Sequence, residues 1–128
     1  MPPDHRRSER VAEGIRAEVA TFLAEDAKDP RIVGLVTVTG VDVTRDLRHA
    51  KVFVSIMGSD TERQATLEGL DSAASHLRSR VGRALRLRVA PEITFRYDET
   101  IARAAKIEAL LAELREPPPR SGDDGQRG

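Results

Sequence analysis

The stretch LRSRVGRALRLRVAPEITF, Leu77 to Phe95, joins an arginine-studded helix to a buried strand, with no acidic residue before Glu92. Leu77, Val81 and Leu85 recur every four residues, the spacing of one helical face. Ile93, Phe95 and the following Tyr97 alternate with Thr94 and Arg96, the spacing of a strand with one face buried. Arg78, Arg80, Arg83, Arg86 and Arg88 follow one another at intervals of two or three. Wound at about 100° per residue, Arg80, Arg83 and Arg86 fall roughly opposite the apolar stripe. A cationic surface on a rigid element implies a polyanionic partner, RNA first among them.

Toward the N-terminus, the helix extends back through Ala74, Leu70 and Leu67 to Ser59 and Glu62, a capping-box pair that follows Gly58. The span from Asp60 to Leu85 is long for a small domain, and the small-residue patch Ser72-Ala73-Ala74-Ser75 is the expected kink. Ala50, Val52, Val54 and Ile56 alternate as the core face of a strand that precedes it. Val36 and Val38 alternate on another, and after Gly40 the apolar parity flips to Val41 and Val43. A one-residue phase slip at a glycine predicts a β-bulge in one bent strand from Gly34 to Val43. The polar loop Thr44 to His49 closes the hairpin. Ser8 is the expected cap of a first helix carrying Val11, Ile15, Val19, Phe22 and Leu23, which Asp29-Pro30-Arg31 ends. Beyond Tyr97, Asp98 or Thr100 opens a short helix with Ile101, Ile107, Leu110, Leu111 and Leu114, and Pro117-Pro118-Pro119 stops it. The order helix, hairpin, long helix, strand, short helix defines an α+β domain over residues 8–115. A flexible basic arm over 1–7 precedes it and a disordered polar tail over 116–128 follows.

Composition bounds the function. A chain of 128 residues with 39% hydrophobic content makes one domain with a modest core. Basic and acidic residues balance at 21 each, so RNA affinity has to come from segregated rather than net charge. The acids crowd Glu13 to Asp29, Asp60 to Asp71 and the C-terminal third. Without cysteine there is no disulfide, thiolate nucleophile or zinc knuckle. No apolar run reaches the roughly 18 residues that span a bilayer, and the reading is of a soluble cytoplasmic protein with no membrane partner.

The ordered set Asp29-Pro30-Arg31, Thr37-Val38-Thr39, Asp46-Leu47-Arg48-His49-Ala50-Lys51-Val52 and Leu85-Arg86-Leu87-Arg88 with Pro91-Glu92-Ile93-Thr94-Phe95 and Tyr97-Asp98 resembles the bacterial ribosome-binding factor A family. The resemblance runs from about Arg7 to Leu114. It implies a KH-like fold of the second type and binding to the immature small (30S) ribosomal subunit. It also implies a part in maturing the 5′ region of 16S rRNA, including in the cold. Two positions depart from the family pattern. Ala73-Ala74-Ser75 has serine where the family places a glycine at the helix kink, and Arg45 replaces a proline before Asp-Leu-Arg in the hairpin loop.

The residues expected to contact RNA are Arg7, Arg10, Arg45, Arg48, Lys51, Arg78, Arg80, Arg83, Arg86 and Arg88, with the row Arg80, Arg83, Arg86 as the principal one. The plain alternative is a solvated helix face, and Arg31 reads as structural. Low aromatic content, 3%, argues against a platform on which bases stack and for contacts to phosphates and RNA shape. Phe22, Phe53, Phe95 and Tyr97 are assigned to the core. Gly122-Asp123-Asp124-Gly125 has the GXXG spacing of ordinary KH loops, but two carboxylates there repel phosphate. His5, His49 and His76 lie in three different elements, which predicts no metal site and no cofactor. Asp98 and Glu99 fit a helix cap better than an acid and base, so no catalysis is expected. Three functions remain: an assembly factor on small-subunit RNA, a KH-like protein–protein adaptor without RNA contact, and a small ribonuclease. An assembly GTPase is a further candidate partner, and a monomer is the expected state.

Overall fold

The computed structural model describes residues 3–26, 29–32 and 35–115. The elements are helix α1 (Pro3–Thr21) with a π-helical turn (Phe22–Asp26), strands β1 (Leu35–Val43) and β2 (His49–Met57), helix α2 (Asp60–Ala84), strand β3 (Glu92–Tyr97) and helix α3 (Glu99–Arg115). Among the described residues, those up to Asp98 form one compact unit and those from Glu99 onward a second. The expected tail over 116–128, the Gly122–Gly125 sequence and the expected strand start at Gly34 lie outside the described residues.

Alternation in the sequence becomes pairing in the sheet. Its order is β1-β2-β3, with β1 antiparallel and β3 parallel to β2. A parallel pair needs a crossover, and the 25 residues of α2 supply it. Register shifts between Val38 and Gly40, leaving Thr39 as the extra residue of the bulge. The bulge re-aims Thr39, whose hydroxyl donates to Asp98 Oδ2 at 2.6 Å.

Both helices pack on one face, α1 against β1 and α2 against β3. The core joins Val11, Ile15, Val19 and Phe22 of the first helical segment to Val52, Val54, Ile56, Ile93 and Phe95 of the sheet. Leu70, Leu77 and Val81 of α2 close it. Tyr97 packs partly on this cluster, with the Arg63 guanidinium 4.7 Å above its ring. Phe53 corrects its assignment: its neighbours Val52 and Val54 point inward, so pleat parity places it on the opposite face, half-exposed.

Helix starts divide. At α2, Ser59 accepts from Glu62 N at 3.1 Å and Glu62 reaches back to Ser59 N at 2.9 Å, completing the capping box. At α1, the expected cap at Ser8 is corrected, because the helix begins at Pro3. A proline is pre-organised for a first helical turn, so Arg6 and Arg7 ride on α1. Helix α2 continues unbroken through Ala73-Ala74-Ser75.

The Asp29-Pro30-Arg31 turn is tied to α2. Asp29 Oδ1 accepts from Arg31 N at 2.9 Å and from Nε at 3.0 Å. Arg31 Nη2 meets Asp29 Oδ2 at 2.7 Å and Ser72 Oγ at 2.7 Å. These bonds from Arg31 hold the Asp29 carboxyl down at about 2, from 3.8. Arg31 is therefore structural, as read. In the second unit, α3 carries the ion pair Glu99–Arg103 at 3.6 Å and has no buried residue.

Candidate nucleic-acid interface

Strand directions decide which loops meet. Because β2 and β3 are parallel with His49 opposite Glu92, both begin at the same end of the sheet, and β1 finishes there with Val43 opposite Ala50. The hairpin loop over 44–48 and the connector over 85–91 therefore emerge side by side, joined by Glu92 N donating to Arg48 O at 2.8 Å. The start of α1 reaches the same end, where Ser8, Glu9 and Ala12 line a hollow with Val43 and Arg45. Gly14 of α1 also lies close against the Leu85 side chain at the end of α2. The fold thus gathers Arg7, Arg10, Arg45, Arg48, Lys51, Arg83, Arg86 and Arg88 at one end, all exposed.

Two loops there are held in unusual backbone states. In the hairpin, Thr44 N donates to His49 O at 2.9 Å and Leu47 N to Thr44 O at 2.9 Å. Asp46 Oδ1 accepts from Thr44 Oγ1 at 2.7 Å and from Arg48 N at 3.1 Å. The Thr44 hydroxyl bond, then the Arg48 amide, lower the Asp46 pKa, so this carboxylate is committed to bracing the loop. Leu47 takes a left-handed φ of 62°. A tight turn thus forms with Arg45 in the proline position, leaving the cations outward. At the end of α2, Leu87 N donates to Gly82 O at 3.0 Å and Arg86 N to Arg83 O at 3.3 Å. This is the Schellman closure, in which the left-handed position is usually glycine. Here it is Arg86, at φ 55°.

The expected row Arg80, Arg83, Arg86 is not a row. Helix α2 ends at Ala84, so the Schellman turn carries Arg86 off the helix face. Arg80 is half-buried and its Nε bonds Glu18 Oε1 at 2.9 Å, tying α2 to α1. No carboxylate lies within a turn of Arg80 along α2, but the fold brings one from 62 residues away. Glu18 carries no local signal of that role, since the pairing exists only once α1 and α2 are packed. Arg78 is exposed and its Nε donates to Ala90 O at 3.1 Å, fastening the connector to α2. Arg83, Arg86 and Arg88 make no ion pair among the described residues.

Acids also stand at this end: Glu9 and Asp42 line the hollow beside Arg45, and Asp42 is the cross-strand partner of Lys51. Glu92 Oε1 lies 3.4 Å from His49 Nδ1, an ion pair when the imidazole is protonated. The His76 ring lies 5.8 Å from the Phe22 ring, tilted by 48°. Among the described residues no group of three His, Cys, Asp or Glu side chains converges on a metal position.

An α+β sheet of KH-like topology with cations gathered at one end is the class that fold and site define. The chain belongs to the ribosome-binding factor A family, whose model matches residues 7–111. It is 66% identical over 111 residues to "Ribosome-binding factor A" of Gemmatimonas aurantiaca, covering 87% of this chain and 76% of that one. It is 51% identical over 108 residues to the same-named protein of Desulforamulus reducens, covering 84% and 89%. Among solved structures, the solution structure of a putative ribosome binding factor A from Thermotoga maritima aligns with a TM-score of 0.54 and 30% identity, covering 75% of this chain and 90% of that one. The crystal structure of ribosome-binding factor A from Thermus thermophilus shares the fold, with a TM-score of 0.60 at 22% identity over 70% and 94%.

Proposed function

We propose that this protein docks on the immature small ribosomal subunit through the basic end of its sheet and holds a local conformation of 16S rRNA while the 5′ region matures, including in the cold. The observation that carries this reading is the meeting of the hairpin cations Arg45 and Arg48 with Arg83, Arg86 and Arg88 at one edge, braced by an internally satisfied Asp46. Phosphates are read by such side-chain cations, and structured RNA by the shape that positions its phosphates. Arg7 and Arg10 extend the same surface along α1, Lys51 along the sheet. The ribosome-binding names of the relatives point the same way. In this reading the protein is a cytoplasmic monomer that binds and does not cleave, and an assembly GTPase is a candidate for its release.

Co-sedimentation with separated small, large and joined ribosomes tests it, with binding to free small subunits as the expected outcome. Incubation with precursor RNA adds the second arm: the strand stays intact if the protein only binds. The adaptor reading draws on the opposite end of the sheet, where the cross-strand partners Leu35 and Met57 are 68% and 69% exposed. An adaptor would keep its partner after Arg45, Arg48 and Arg86 are replaced by Ala; an RNA-docking factor would not.

A further inference from the structure

Between the second half of α2 and the connector to β3 lies a cleft of about 620 Å³. Its helix wall presents Ser75, Arg78, Ser79 and Arg83, and its far wall presents Arg88. Gly82 lets the walls meet at the base, since a Cβ there would stand 3.1 Å from the Ala90 Cβ. Arg78 closes the same corner through Ala90 O, which fixes its guanidinium and leaves both Nη groups without a partner among the described residues. No carboxylate lines the cleft. Ser75 and Ser79 lie one helical turn apart, so their hydroxyls share a face.

We propose that this cleft seats the phosphodiester backbone of a single RNA strand, with successive phosphates clamped between Arg78, Arg83 and Arg88. The proposal rests on the RNA-docking reading and names what one part of that surface recognises. Three arginine forks from two adjoining segments suit a tetrahedral anion with several acceptor oxygens. The serine hydroxyls add donors for a phosphate or a 2′-hydroxyl. The seat is a shallow trough open to solvent, the setting in which a positively charged groove tracks a flexible single-stranded backbone. No aromatic ring lines it, so the bases stay outside and the site tolerates any sequence.

The test uses the full chain, a short labelled oligouridylate as probe, and two variants. Arg78→Ala with Arg88→Ala removes cations. Ser79→Phe keeps every charge and fills the cleft from an exposed helix position. We expect both to weaken the probe by about tenfold or more, and the double variant to lower the log–log salt slope by about 1.4, at 0.7 per phosphate for a single strand. Should the double variant lose its fold with the Arg78 tie, Arg88→Ala alone and Ser79→Phe carry the test. Oligouridylate affinity unchanged in Ser79→Phe would overturn the cleft as a seat. Displacement of the probe by polyglutamate at equal phosphate and carboxylate concentrations would overturn it in favour of an acidic peptide. Neither result touches the functional reading, which fails separately if the wild-type chain does not sediment with small subunits.

Discussion

Arg86 occupies a backbone position at which a side chain costs about 1–2 kcal/mol and glycine costs far less. Its left-handed φ of 55° is required by the turn that closes α2. Arg86→Gly is therefore expected to raise stability by about 0.5–1 kcal/mol in a denaturant titration while weakening small-subunit binding. Equal or lower stability would show that the turn is unstrained. At Asp29 the lever is pH. Its folded pKa of about 2 lies below the ordinary 3.8 because Arg31 bonds the charged form. The stabilisation is present above about pH 4 and is lost as pH falls toward 2. The stability gap between wild type and Asp29→Asn should accordingly close across that window in acid titrations followed by circular dichroism. A gap that persists at pH 2 would assign the turn's stability to something other than the carboxylate.

Among the elements, period was legible and neighbours were not. The alternation at Ala50, Val52, Val54 and Ile56, and the parity flip at Gly40, located β2 and the bulge because strand faces have a strict period of two. Helix α2 was readable from its four-residue stripe and capping box. The start of α1 was not, since Ser8 resembles a cap while nothing in residues 3–7 forbids a helix. Phe53 is aromatic yet stands between the inward Val52 and Val54, so pleat parity sends it outward. Helical periodicity describes one helix, so the Glu18 partner of Arg80, arriving from another, leaves no trace in it. Two outcomes belong at this scale. Val54 is fully buried, and Val54→Asp should cost several kcal/mol by burying an unpaired carboxylate; an unchanged unfolding midpoint would contradict the sheet's inward face. Arg80→Ala should cost about 1–2 kcal/mol, the range between an exposed pair and a charged hydrogen bond. Small-subunit affinity in that variant should stay within about twofold once folding is controlled for, a small change in binding free energy. A large loss of affinity in a fully folded Arg80→Ala protein would restore Arg80 to the RNA-facing set.

For the whole molecule, zero net charge conceals an uneven arrangement, and the parallel pairing of β2 with β3 produces it. That pairing places two basic loops from distant segments, 44–48 and 85–91, on one edge. Their cationic content could be counted in the sequence, but their meeting depends on a crossover direction that only the fold displays. If three phosphates are neutralised by Arg45, Arg48 and Arg86, the triple-Ala variant should flatten the log–log salt dependence of binding by about two to three units, at 0.7–0.9 per phosphate. The most direct test is co-sedimentation of the wild-type and triple-Ala chains with separated small, large and joined ribosomes over a salt series. Wild type is expected in the small-subunit fraction, with binding that weakens steeply with salt, and the triple variant is expected to bind those subunits more weakly at low salt and with the flatter salt dependence. Wild-type binding and an unchanged salt slope in the triple variant would contradict docking through the basic end of the sheet.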